Sequence, residues 1–294
     1  MKLRMLQEEN PLRTEVRDSK SVWLATLTNG AYTVRLTGPS RTFAESSAAF
    51  SVMHTTWVRT LPAPFDGQLD ETWLRCALEA NQAEVPDVLA IAMQYVKGAS
   101  KIFEGDLQIG GDACYGPMKH GKREEGSDFN DYLGIEWTYP EKLDKPEKRQ
   151  KHCLDCSGFI RMVRGYRHSL PGAGYADTVP LCLDPRSDHS AMPRRAFEIY
   201  EAGPGVVIVP NTGIQVNEFS DLAVGDLVFF DADASDGTRI DHVGMYLGVD
   251  AGGHHRFISS RKGANGPTLG DYRGRSIIDG PGLYGKSFLA ACRV

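Results

Sequence analysis

The chain has 294 residues, of which 33 are Lys or Arg and 38 are Asp or Glu, so its formal charge is −5. Hydrophobic residues make up 41% and charged residues 24%, the balance of a globular protein with one large domain or two modest ones. This excludes a broad basic face for nucleic acid, and no apolar run approaches the roughly 20 residues of a membrane span, so neither partner is expected. The opening MKLRMLQEENPLRTEV has no apolar stretch behind its positive charges, so no secretory signal is read and a cytoplasmic chain is expected as synthesised.

Residues 22–28 and 31–37 are β-rich runs around Asn29-Gly30, which predicts a hairpin with a type I′ turn. Residues 56–61 alternate like a strand that stops at Pro62. An N-terminal β-rich accessory segment is therefore expected over 1–68, as a small module or as extra strands, ahead of a main domain over 69–294. Asp70 is placed to cap a helix with Trp73, Leu74, Ala77 and Leu78 on its inner face. Pro86 and Asp87 open a second helix, with Val88, Ile91, Ala92 and Tyr95 inward and Gly98 as its stop. Residues 116–152 read as a charged insertion. Eight of the eleven residues from 141 to 151 are charged, which predicts a solvated loop, with a lid or partner-binding segment as the other reading.

Six cysteines (Cys76, Cys114, Cys153, Cys156, Cys182 and Cys292) are too few for a disulfide scaffold, and reduced thiols are expected. A helix beginning at about Cys156 would bury Phe159, Ile160, Val163 and Tyr166. A thiol at a helix start meets unpaired amides and the positive dipole end, which lowers its pKa, and Gly158 permits a close approach. A buried structural cysteine is the plainer alternative. A thiol nucleophile needs a base, normally His. From Asp241 the chain alternates: Val243, Met245, Leu247 and Val249 share one strand face, and His242, Gly244, Tyr246 and Gly248 the other. A face of His and glycines suits the floor of a cleft.

Asp-Cys-Ser-Gly-Phe at 155–159, Leu-x-x-Gly-Asp-Leu-Val-Phe-Phe at 222–230 and His-Val-Gly-Met-Tyr-Leu-Gly at 242–248 together resemble the NlpC/P60 family of papain-like cysteine peptidases, over roughly residues 85–294. The resemblance implies an α+β fold: a papain-like core of helices on an antiparallel sheet, with the Cys helix against the His strand. It implies Cys156 as nucleophile and His242 as general base. The third family position, usually His, Asn or Gln, orients the imidazole. It falls on Ser259 here, with Asn265 and Asp271 as other residues for that role. Tyr115 matches the tyrosine that binds substrate or the oxyanion, and Tyr132 is its rival. Asp155 and Ser157 match residues that hold a substrate amine in relatives cutting cell-wall peptides. His254 and His255 read as a turn.

The implied activity is that of a thiol protease: hydrolysis of an amide or isopeptide bond in bacterial peptidoglycan stem peptides, of the γ-D-glutamyl–diaminopimelate type, through an acyl-thioester. The partner is then a peptide or peptidoglycan fragment, with no cofactor and no metal, and the oligomeric state is open. Without a signal, the chain is expected to act on cytoplasmic muropeptides, to be carried by a phage or a secretion apparatus, or to process some other peptide. Other readings are a redox or zinc site built from His152, Cys153 and Cys156, a catalytically idle relative, and a Cys–His acyltransferase or deamidase on the same fold.

Overall fold

A computed structural model describes residues 2–167, 177–233, 237 and 239–294. Five strands come first: β1 (Arg4–Glu8), β2 (Arg13–Arg17), β3 (Trp23–Thr28), β4 (Thr33–Phe43) and β5 (Val52–Thr60) form an antiparallel sheet in chain order. The hairpin expected around Asn29-Gly30 is present, but not its type I′ turn. Pairing ends at Leu27 and Val34, and only Gly30 of the pair lies at positive φ, +82°. Docking shapes this loop instead: Gly30 N–H donates to Phe65 O at 2.8 Å and Thr33 N–H to Val294 O at 2.7 Å.

Asp70 caps α1 (Glu71–Gln82), accepting from Thr72 N–H and Trp73 N–H at 2.8 and 3.0 Å. Trp73, Leu74 and Ala77 pack on Val16, Ala25, Leu27, Val34 and Leu36, so this helix covers the N-terminal sheet. Burial of such side chains contributes about 1.5–3 kcal/mol each. Asp87 is the N-cap of α2 (Val88–Met93), with Pro86 just outside; the helix ends well before Gly98. The Asp87 carboxylate also accepts from Val58 N–H and Arg41, which ties the helix start to β5.

The stretch from 102 to 144 holds three two-stranded hairpins and a helix. The hairpins are β6 (Ile102–Glu104) with β7 (Leu107–Gly110), β8 (Met118–Lys119) with β9 (Lys122–Arg123), and β10 (Trp137–Thr138) with β11 (Leu143–Asp144); the helix is α3 (Phe129–Leu133). The charge run is largely exposed, but Phe129, Tyr132, Leu133 and Tyr139 are buried in the main core. Asp128 and Asp131 form a capping box, and Gly134 ends the helix at φ +72°.

Helix α4 (Cys156–Arg161) continues as a π-helical turn through Tyr166, and buries Phe159, Ile160 and Val163 as expected. A Cβ on Gly158 would lie 2.2 Å from Ser127 O, so only glycine lets the 127–128 backbone close on this helix. After α5 (Ala196–Ala202) come β12 (Val206–Val209), β13 (Leu227–Phe230), β14 (His242–Val249), β15 (His255–Arg261), β16 (Gly266–Thr268), α6 (Leu283–Ser287) and β17 (Phe288–Arg293). The strands form an antiparallel sheet in the order β12-β17-β13-β14-β15-β16.

One face of this sheet, with Val243, Met245 and Leu247, packs on Phe159 and Ile160. The other, with Val228, Phe230, Tyr246, Phe257 and Phe288, is covered by Ile278 and Tyr284. The glycine-bearing face of β14 is therefore no open floor. A Cβ on Gly244 would lie 2.7 Å from the Phe257 ring, so this glycine lets β15 close on β14. The N-terminal sheet does not extend the six-stranded one. It is tied to it by a bridge between Val52 and Asp250 and by Glu45 accepting from Thr268 Oγ1 and Leu269 N–H, and to the turn continuing α4 by Arg164 donating to Thr33 Oγ1. Among the described residues, no helix is long and apolar enough to cross a membrane.

Candidate active site

The start of α4 is fixed from both sides. Leu154 N–H donates to Cys114 O at 2.7 Å and Asp155 N–H to Ser127 O at 2.9 Å, while the Asp155 carboxylate caps Gly158 N–H at 2.8 Å. Cys156, the first helical residue, is thereby held against the start of β14. Its Sγ lies 3.9 Å from Asp241 O and accepts from Val243 N–H, the backbone groups on either side of His242. The sulfur of Cys156 and the backbone flanking His242, far apart in the sequence, are thus in contact.

His242 Nε2 lies 3.0 Å from Ser259 Oγ, which leaves Nδ1 for other work. The ring packs 5.3 Å from Tyr284 and 5.8 Å from Phe230, centroid to centroid. Asn265 accepts from Tyr115 N–H and Asp271 pairs with Arg256, and neither is bonded to His242. Cys156 and His242 are each 7% exposed, and beside Cys156 opens a cleft of about 430 Å³ lined by Tyr115, Asp155, Ser157, Arg194 and Asp241. That volume suits a small peptide segment. A larger hollow of about 790 Å³ among Phe103, Trp137, Tyr166 and Leu181 has neither thiol nor imidazole in its wall.

Tyr115 lines the cleft, its hydroxyl 3.5 Å from Glu125. Its rival Tyr132 is buried and donates to Gly111 O at 2.9 Å. Asp155 and Ser157 also line the cleft, but their polar atoms are engaged by a residue the sequence did not single out. Arg194 Nη1 donates to Ser157 Oγ at 2.7 Å and Nη2 to Asp155 at 2.8 Å, and Nε lies 3.5 Å from Asp128. No spacing rule links Arg194 to Cys156; only its place ahead of α5 brings it there. His254 pairs with Asp279, and His255, the first residue of β15, bonds Tyr246; neither lines the cleft.

Electrostatics overturn one expectation. Burial pushes the Cys156 thiol up to about 12, and the neighbouring Asp155 charge adds to the rise against Val243 N–H and Arg194. The helix start is expected to lower it, but burial of the sulfur outweighs this and the cap that satisfies the helix amides is itself an anion. Burial, then the Arg261 charge, lowers His242 to about 3. Both shifts favour the uncharged forms, a thiol at Cys156 and an imidazole at His242.

A second expectation fails as well. Cys114 and Cys153 form a disulfide, whereas Cys76, Cys156, Cys182 and Cys292 are free. Reduced thiols throughout are thus not found, and Cys153 is not half of a dithiol with Cys156. The bond joins the segment carrying Tyr115 to the one leading into Cys156. Among the described residues, no group of three His, Cys, Asp or Glu is placed to hold a metal ion.

Residues 146–269 match the NlpC/P60 family model, so the likeness seen in the motifs holds over a span containing Cys156, His242 and Ser259. The matched span, less than half of the chain, is similar to a family of cell-wall peptidases and amidases. No curated protein matches the chain. Tyr115 and the N-terminal sheet lie outside the matched span.

Proposed function

We propose that the chain is a papain-like cysteine hydrolase that cuts an amide or isopeptide bond in peptidoglycan stem peptides, of the γ-D-glutamyl–diaminopimelate class. The observation that carries this reading is the Cys156 sulfur seated against the backbone on either side of His242, at the wall of an open cleft. The Cys114–Cys153 bond supports work in an oxidising compartment, outside the reducing cytoplasm, where such peptides are found.

His242 Nδ1 takes the thiol proton as Sγ attacks the carbonyl carbon, and the Nε2 hydrogen is donated to Ser259 Oγ, which fixes the tautomer. The developing oxyanion is met by Cys156 N–H and the Tyr115 hydroxyl. The imidazolium then protonates the departing amine, leaving an acyl-thioester on Cys156. A water deprotonated by His242 releases the acid and restores the thiol. In this reading Asp155 and Ser157 shape the cleft through Arg194, so a substrate group in that corner meets a guanidinium as well as the carboxylate.

Two expected results follow from the base. Protonation of His242 removes it, and its pKa is held near 3, so the acid limb of kcat/KM should lie well below the ordinary imidazole value of about 6.5. Arg261→Gln removes a charge that disfavours the imidazolium and should move that limb upward, read from a kcat/KM–pH profile. Ser259→Ala removes one neutral hydrogen bond, about 0.5–1.5 kcal/mol, and should slow turnover roughly 2- to 12-fold.

Mass spectrometry of defined muropeptides incubated with the protein tests the reading. Scission at the γ-D-glutamyl–diaminopimelate bond, with an acyl adduct on Cys156 when hydrolysis is slow, is expected. Intact substrate in the presence of an alkylatable Cys156 would replace hydrolysis by acyl transfer to an amine or hydroxyl.

A further inference from the structure

A second polar cleft, of about 220 Å³, lies between the N-terminal sheet and the turn at 220–223 that leads into β13. Arg13 on β2, Arg35 on β4 and Arg293 on β17 line it, with Ser220 and Asp221 opposite. The strand register accounts for the cluster. Arg35 pairs with Thr26 and Arg13 with Thr28, so both arginines share one face of the sheet. Arg293 reaches that face by donating to Thr28 Oγ1 at 3.0 Å.

The three guanidiniums are not equally engaged. Arg293 donates to both oxygens of Asp226, at 2.8 and 2.9 Å. Arg13 is paired with Glu8 and donates to the carbonyls of Glu9 and Pro11, each at 3.3 Å. Glu15, the carboxylate nearest Arg35 on the sheet, is held by Arg17 at 2.7 Å. The Arg35 side chain makes no hydrogen bond or ion pair to any described residue. Burial, then the charges of Arg293 and Arg13, pull its pKa down to about 10, and Asp226 and Glu15 offset this only in part. A half-buried cation beside two others, with five donors and no acceptor, is costly unless an anion joins it.

We propose that this cleft binds a small oxyanion, with the Arg35 guanidinium as its main donor and Arg13 and Arg293 supplying field. A guanidinium fork matches the paired oxygens of phosphate, sulfate or carboxylate. The volume holds roughly seven waters at about 30 Å³ each, or one such ion with part of its hydration. It is below the range of about 300–1,000 Å³ usual for larger organic ligands. Asp221 in the wall opposes the anion and limits its affinity. Bound there, the ion bridges the N-terminal sheet to the last strand and to the turn before β13, so its effect falls on stability rather than on the chemistry at Cys156. The site is independent of the hydrolase reading.

The test uses the full chain and titrates inorganic phosphate, sulfate or acetate against chloride at constant ionic strength, reading the thermal midpoint and the binding heat. A saturable rise with at least one of the three oxyanions, beyond the chloride reference, is expected. Arg35→Gln should abolish that rise. In chloride alone it should melt no lower than the parent, because it removes a charge without a partner. Asp221→Asn should tighten binding several-fold, and it decides the matter should Arg35→Gln fail to fold. No rise with any of the three ions, an equal rise in Arg35→Gln, or unchanged affinity in Asp221→Asn would overturn the site.

Discussion

Replacing His242 with alanine is expected to lower kcat on stem-peptide hydrolysis by a factor on the order of 10⁶, the scale seen where nucleophile and base act as one unit. The neutral thiol is the reason. With Cys156 pushed up to about 12, almost no thiolate exists near neutral pH, so attack depends on proton removal during the reaction. The same logic makes the double variant Cys156→Ala with His242→Ala no slower than either single one. Additive losses in kcat would mean that the two side chains act independently.

Asp128→Ala is expected to cost about 3–5 kcal/mol of folding stability, read as a shift in the urea midpoint at unchanged slope. The Asp128 carboxylate accepts from Arg161 Nε at 3.0 Å, lies 3.5 Å from Arg194 Nε, and caps α3 through Phe129 N–H at 2.9 Å. Arg161 is fully buried, so loss of the carboxylate strands a guanidinium in the core. Asp128→Asn keeps the cap and loses the charge, and should fall between parent and Ala. Burial would raise the Asp128 pKa, but Arg161 and Arg194 outweigh it and hold the carboxyl below its usual value. The pair therefore contributes fully at neutral pH, and that contribution is lost as pH falls through the lowered value. A loss under about 1 kcal/mol would place these charges in water rather than in the core.

The parts of the site legible in the sequence were those governed by local pattern. Helical spacing after Cys156 and alternation from His242 survive in the structure, because α4 and β14 bury faces that repeat at fixed periods, and Ser259, which the family resemblance singles out, bonds His242. Gly158 was read correctly as a point of close approach. What escaped depended on docking between distant segments. The Asn29-Gly30 loop is bent by bonds to Phe65 and Val294 rather than by its own turn preference. Arg194 reaches Asp155 across 39 residues. The direction of the Cys156 shift escapes the sequence because burial of the sulfur, and then the anionic cap at Asp155, outweigh the helix start. The helix over 129–133 could have been found: Asp128, Asp131 and Gly134 are a cap, its reciprocal partner and a left-handed stop. The neighbouring charge run masked it.

Alkylation of Cys156 by iodoacetamide at pH 7, followed by peptide mass spectrometry in the parent and in His242→Gln, tests the Cys156–His242 partnership without any assumption about substrate. Modification of Cys156 on the order of 10²-fold faster in the parent is expected, with Cys76 reacting alike in both. Equal rates at Cys156 would show that the imidazole does not serve the sulfur, and the hydrolase reading would fall with it.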